Sequence, residues 1–295
     1  MNSKLYSHNA SVLALLAFGL AFAAAPNLVS AEAYDPQIRP ADFTTSISNP
    51  YLSFPIGFEA EYEGETEDGK ERGVMEVTGA TKNVMGVTTL IVRDRVWQDG
   101  ELIEDTRDYM AQDKAGNVWY FGEDVDNYED GALQNHDGAW LAGKGGAKPG
   151  ILMKANPMAG ETYREEYYPG KAEDIAEIVS LNKTVRVPFG NFTNCLQTKN
   201  WTPLEPGVIE YKYYCLGARA LALETNEEGG ERIELVESEV ETANDDENDD
   251  EDAEEGVEDD EEEGVWDMQA NSQRAAMERL IALLQQLLAL LRTQR

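Results

Sequence analysis

The chain has 295 residues, with 57 Asp and Glu against 24 Lys and Arg and a formal net charge of −33. Such acidity argues against nucleic acid as a partner, because phosphate binding needs Lys and Arg to displace counterions, and it disfavours anionic membranes. Metal cations and basic partners are the charges it could attract.

Chain order begins with Lys4, an apolar run from Val12 to Ala25, Pro26 and the small-residue segment Val29-Ser30-Ala31. This is the charged, apolar, cleavable order of a secretory signal, predicting residues 1–31 as a signal peptide and a secreted or periplasmic product. The apolar run is shorter than the roughly 20 residues that span a bilayer, so no stable membrane span is expected. No Cys beside Ala31 could take a lipid.

Residues 32–242 read as strands punctuated by Asp-Gly turns. Phe58, Ala60 and Tyr62 alternate with Glu59, Glu61 and Glu63, the two-residue period of a strand with one wet face. A two-residue hairpin at Asp68-Gly69 would set Glu67 against Lys70 and Glu65 against Arg72. At Asp99-Gly100 the same construction sets Trp97 against Leu102 and Arg95 against Glu104. Asp130-Gly131 is a third such turn. Ala172 to Val179 fits a helical face or an extended strand equally well. Near the domain's end, Ile233 and Leu235 alternate in one phase and Val236 and Val240 in the other, which a bulge at Leu235-Val236 would absorb. The fold class expected is mainly β: a bent antiparallel sheet of about 8 to 11 strands, a half-barrel or open barrel around an aromatic core.

Cys195 and Cys215 are the chain's two cysteines. The runs 195–202 and 208–216 flank the turn-rich Pro203-Leu204-Glu205-Pro206-Gly207, and a hairpin pairing Thr202 with Val208 would place the cysteines directly opposite each other. An oxidising compartment then predicts a disulfide. Two sulfurs without a nearby His are too few for structural zinc.

After Thr242 the pattern stops. Residues 243–266 form an acidic stretch, with fifteen carboxylates and no Lys or Arg between Asp245 and Glu263, expected to be a disordered linker. Residues 267–295 contain MERLIALLQQLLALL, read as a leucine-rich helix. Leu280, Leu283, Leu287 and Leu290 keep a coiled-coil spacing, and Leu284 and Leu291 widen the seam, so self-association or docking on a partner helix is expected.

The runs NVWYFGED (117–124), PGILM (149–153), EEYYPGKAED (165–174) and WTPLEPG (201–207) give the chain a motif order that resembles a group of secreted bacterial β-rich proteins without an established activity. The resemblance covers roughly Tyr34 to Val240 and implies export and a common sheet core. It carries no functional residues with it. This chain departs from that pattern at Cys195 and Cys215, in its acidic tail and in its terminal helix.

Candidate chemistry is sparse. His136 is the single histidine after the signal and sits in a turn-type tripeptide, His136-Asp137-Gly138, where a solvated loop role outweighs that of a general base. The chain has no Gly-x-Ser-x-Gly and no His-Glu-x-x-His. Lys144 in Gly143-Lys144-Gly145-Gly146 is not followed by Ser or Thr, so this is a flexible turn and not a phosphate loop. Carboxylates are plentiful: Glu165, Glu166, Glu173, Asp174 and Glu177 flank Tyr163, Tyr167 and Tyr168, and a pair of them would be the minimum for glycoside hydrolysis. The competing reading is a solvated acidic face. Asp124, Asp126 and Asp130 place alternating oxygen ligands in what reads as a loop, a candidate calcium site that lacks the EF-hand glycine; no other cofactor is expected. Trp97, Trp119, Trp140 and Trp201 could line a sugar or lipid pocket, though such residues more often fill a sheet's core. Together these observations favour a secreted, non-enzymatic binding or interaction protein. A carboxylate-based, glycosidase-like hydrolase and a periplasmic lipid or lipoprotein carrier are the competing functions.

Overall fold

The structure is a computed structural model and describes residues 34–66, 69–227 and 230–240. The signal segment, the acidic stretch and the leucine-rich segment, including Leu280, Leu283, Leu284, Leu287, Leu290 and Leu291, lie outside the described residues.

The principal strands are β1 (Phe58–Thr66), β2 (Gly69–Glu76), β3 (Val87–Gln98), β4 (Glu101–Asp113), β5 (Val118–Glu129), β6 (Lys148–Met153), β7 (Thr162–Arg164), β8 (Glu166–Tyr167), β9 (Ile175–Val187), β10 (Gly190–Trp201), β11 (Glu210–Tyr214), β12 (Leu221–Asn226) and β13 (Arg232–Val240). Antiparallel pairings run round a circuit that passes along the chain through Glu165, from β8, which pairs with β6, to β7, which pairs with β9, and returns from β13 to β1. The sheet is therefore a nearly closed barrel, and with its short flanking strands it counts seventeen. That exceeds the expected eight to eleven because two- to four-residue strands, such as Trp140–Leu141 against β5, carry too little sequence pattern to be seen. The thinnest seam joins β6 to β8 by Lys148↔Tyr167 and Pro149↔Glu166 alone.

Turn chemistry sets most registers. Asp99 and Gly100 both have positive φ (47° and 88°), as do Asp130 and Gly131 (53° and 72°), the signature of a two-residue hairpin whose twist matches its strands. Trp97 faces Leu102 as expected, but a bulge next to that pair moves Arg95 opposite Asp105 and leaves Val96 opposite Glu104. The first hairpin is displaced from the expected register. Thr66 pairs with Gly69, so Glu65 faces Lys70 and Glu63 faces Arg72. Asp99 of the neighbouring hairpin holds this end: its carboxylate accepts the Lys70 N–H at 3.1 Å and its own N–H donates to the Lys70 carbonyl at 2.8 Å. The segment that could have been helix or strand is strand, forming the start of β9. The register of β13 on β1 shifts between Leu235 and Glu237, at the expected bulge.

Alternation gives the barrel two chemically distinct faces. Phe58, Ala60, Leu90, Val92, Met110, Val118, Met153, Leu196 and Leu235 belong to one buried core that fills one end of the interior. Outside, β2 to β5 carry a lattice of ion pairs: Arg95 to Glu76 at 2.6 Å, Arg93 to Asp105 at 2.7 Å and Arg107 to Asp126 at 2.8 Å. That charged belt is the reverse of the apolar band a lipid-facing barrel presents.

Cys195 and Cys215 form a disulfide across β10 and the end of β11, with Cα atoms 4.3 Å apart. The observed pairs, from Leu196↔Tyr214 to Asn200↔Glu210, continue the register that sets the two cysteines opposite each other. Both are fully buried in the core. Closing a loop of this length contributes about 3 kcal/mol in the chain-entropy account. The double variant Cys195→Ala/Cys215→Ala is accordingly expected to lose about that much stability in urea titration; a loss below about 1 kcal/mol would contradict the role given to the bridge.

Candidate functional site: a carboxyl-lined barrel mouth

At the end of the barrel away from the apolar core, the interior positions change chemistry. On β3, Asp94 stands in phase with Leu90, Val92 and Val96, and on β4 Glu104, Thr106 and Asp108 continue that interior row. Glu123 of β5 pairs with Asp108. Across the barrel, Thr198 and Asn200 of β10 face Lys212 and Glu210 of β11, and Lys212 faces Glu224 of β12. The mouth opens as a cavity of about 340 Å³ lined by Glu123, Glu166, Asp174, Asn200, Glu210 and Lys212, with Trp201, Thr202, Leu204 and Val208 at its rim.

Two electrostatic halves meet there. On the β11 side, Lys212 lies 3.6 Å from Glu210 and 3.7 Å from Glu224, and the Glu224 charge holds its ammonium well above the usual lysine range. Asn200 donates to Glu165 at 2.6 Å, while the other Glu165 oxygen is buried without a partner. Burial pushes Glu165 up to about 7 against the pull of Lys212 and the Asn200 hydrogen bond. Asp174 is raised by burial, but Lys212 and the Thr202 hydroxyl restrain it.

On the opposite half, Lys171 also lines the cavity, its ammonium lying 5.9 Å from the Tyr168 ring, and among the described residues no ion pair joins it to the carboxyls there. Tyr120 donates its hydroxyl to Asp108 at 2.6 Å. Burial lifts Asp108 to about 7 and, with the neighbouring Asp108 charge, lifts Glu123 to about 8. Burial likewise carries Glu166 well above the carboxylate range, and Glu123, Asp174, Glu165 and Asp108 all push it in the same direction. Among the described residues, the Glu166 side chain meets no hydrogen-bond donor and no cation.

Of the acids flanking the tyrosines, the structure brings Glu165, Glu166 and Asp174 to the mouth. Glu173 instead accepts the Gly170 N–H at 2.7 Å, and Glu177 sits opposite Lys199 on β10. The solvated-face reading is therefore corrected for three of the five. Strand alternation carried no warning about Glu123, which comes from a distant strand. One signal was available: Asp94 occupies the apolar phase of β3, where an ionisable residue is unexpected.

The proposed calcium loop is a strand and a hairpin turn. Asp124 pairs with Lys82 at 2.8 Å and accepts from the Tyr109 hydroxyl; Asp126 pairs with Arg107; Asp130 occupies the exposed turn. β5 places Asp124 and Asp126 on its outer face, two residues apart as same-face positions in a strand must be, and Asp130 lies beyond its end. Among the described residues, no group of three His, Cys, Asp or Glu side chains is gathered for a metal ion. His136 lies 2.8 Å from Asp126 and does not line the mouth cavity. Trp140 is buried in the core, Trp119 packs edge-on against Phe43, and the Arg72 and Arg95 guanidinium groups lie over Trp97; of the four tryptophans expected to fill the core or line a pocket, Trp201 is at the mouth.

No family model matches the chain, and no curated protein does. Among solved structures, a candidate lipoprotein from Parabacteroides distasonis aligns with a TM-score of 0.36 at 11% identity, over 64% of this chain and 98% of its own. At that level the likeness carries no argument about activity.

Proposed function

We propose that the protein is an exported, non-enzymatic binding protein whose barrel takes a small ligand into the carboxyl-lined mouth, with the leucine-rich segment 267–295 serving association. The carrying observation is the cavity itself: polar groups from β5, β8, β10 and β11 converge in a concavity closed behind by a packed core. A lipid carrier would want an apolar concavity, and the polar carboxyls of Glu123, Glu166 and Glu210 together with the Lys212 ammonium weigh against it. Export is supported by the leader-like first 31 residues and suits the buried disulfide.

The test is native mass spectrometry of the mature protein beside Val208→Trp, which crowds the mouth from an exposed rim position. A small molecule retained by the parent and lost from the variant is expected. A ligand held equally by both would place binding elsewhere and contradict this reading.

A hydrolase remains the second reading because of one pair. Burial and the Asp108 charge lift Glu123 to about 8, whereas the upward push of burial on Asp174 is opposed by Lys212 and the Thr202 hydroxyl, so the two acids sit in the unlike surroundings that an acid and its partner carboxyl require. Turnover of an aryl glycoside abolished by both Glu123→Gln and Asp174→Asn would favour it.

A further inference from the structure

We propose that the mouth binds the ammonium or guanidinium end of a small organic cation, seated on Glu166 with Glu123 and Asp174 beside it, its hydrocarbon part lying on Trp201, Leu204 and Val208. This rests on the binding reading above and names its ligand class.

Three independent features point there. Glu166 lines the cavity, is largely enclosed by protein and has no donor or cation of its own, whereas the carboxylates of the β11 side share Lys212. A carboxylate in such surroundings is costly unless a positive charge arrives with the ligand. Behind it, the Glu165 carboxyl keeps one buried oxygen unpartnered although Asn200 takes the other, an acceptor that the donors around it leave unfilled. The rim then selects among cations. The Lys199 ammonium already lies 5.9 Å from the centre of the Trp201 ring, so it is the rest of that ring, with the exposed Leu204 and Val208, that offers apolar surface a bare metal ion would not use. The volume, several times the roughly 30 Å³ share of one water molecule, suits an amine carrying a short carbon chain.

Binding should release protons. Facing Glu166 and Glu123 are Asp108, Glu104 and Tyr120 from β4 and β5, Glu165 from the β7–β8 link, Lys171 and Asp174 ahead of β9, and Glu205, Glu210 and Lys212 across the mouth. Glu123, beside Glu166 and lifted to about 8, keeps its proton at neutral pH, and a cation entering the crowded carboxyls displaces a proton from them. Affinity therefore rises with pH through the range in which Glu123 titrates, provided the ligand amine stays protonated.

The experiment is calorimetry on the full mature chain with 1,5-diaminopentane, beside 1,5-pentanediol, glutarate and calcium chloride as probes of equal length, opposite charge or simple ionic charge. Each is measured at pH 6 and pH 9 in two buffers of different ionisation enthalpy. The diamine is expected to bind at least tenfold more tightly at pH 9, with net proton release. Glu166→Gln should weaken it at least tenfold, Glu166→Asp should retain the pH dependence, and Trp201→Ala should weaken it severalfold at both pH values. Equal or tighter binding of the diol or glutarate, lost in Val208→Trp, would overturn the cation assignment and leave the mouth as the binding site. Calcium displacing the diamine at equal concentration, diamine binding indifferent to Glu166→Gln, or no diamine binding at all would likewise overturn it; a ligand retained in native mass spectrometry and lost from Val208→Trp would show that the broader reading survives.

Discussion

Glu123→Gln is expected to raise the melting temperature at pH 9 and to leave it nearly unchanged at pH 5. Burial and the Asp108 charge lift the Glu123 pKa to about 8, against about 4.3 in an unfolded chain. Between those values the folded protein keeps a proton that the unfolded chain has released. Stability therefore falls as pH climbs from the unfolded value to the folded one, and is flat beyond. Asp108, lifted to about 7, acts in the same sense. The two share their charge, so the combined penalty at pH 9 is less than the sum of separate shifts and of the order of 5 kcal/mol. Glutamine cannot ionise, and relief of most of that penalty corresponds to roughly 10 °C for a domain of this size.

The outer belt acts in the opposite sense. Arg93 holds Asp105 below its usual range and Lys82 does the same for Asp124. These depressed groups contribute stability that is present above the unfolded carboxylate pKa and is lost as pH falls through the folded one. Together the two sets place maximum stability near pH 5. A melting temperature that rises steadily from pH 5 to pH 9 in the parent protein would contradict this account of the interior.

Gly150→Ala is expected to be the most damaging single-methyl addition in the barrel. A Cβ at this position would lie 2.1 Å from the Glu165 carbonyl oxygen and 2.8 Å from that of Arg164, both backbone atoms that cannot rotate away. The crowding falls beside the seam, where two residue pairs join β6 to β8. Relief requires the strands to part, at a cost of about 3 kcal/mol. Glu166 moves with the seam, so ligand binding should be lost together with stability. Gly100→Ala is the control: its φ is +88° but nothing lies within 4 Å, so only the conformational cost of about 1 kcal/mol applies. Equal urea midpoints for the two variants would show that the seam is not closed as described.

The parts legible in the sequence were those set by local chemistry. Asp-Gly turns announced hairpins, the Cys195 and Cys215 spacing announced their bridge, and the phase change at Leu235-Val236 announced a bulge. Register was less legible where a second hairpin intervened, as Asp99 does at Lys70, because that hydrogen bond joins residues 29 apart. Closure of the barrel was hidden for the same reason: the seam depends on two-residue pairings without periodic signal. The mouth was half legible. The acids around Tyr167 stood out as a cluster, but their meaning depends on Glu123 and Lys212, which reach the same cavity only through sheet curvature. Asp124 and Asp126 misled because alternation of acids suits a cation loop and an ion-paired strand face equally well; Lys82 and Arg107, on other strands, decide between them.

Residue-resolved carbon-13 NMR titration of the side-chain carboxyls, with and without 1,5-diaminopentane, tests most directly whether the mouth holds protonated carboxyls that a cation displaces. The account predicts a Glu123 midpoint near 8 and an Asp108 midpoint near 7, coupled to each other and both moved down when the diamine binds. Midpoints near 4 for both groups, unmoved by the diamine, would contradict it.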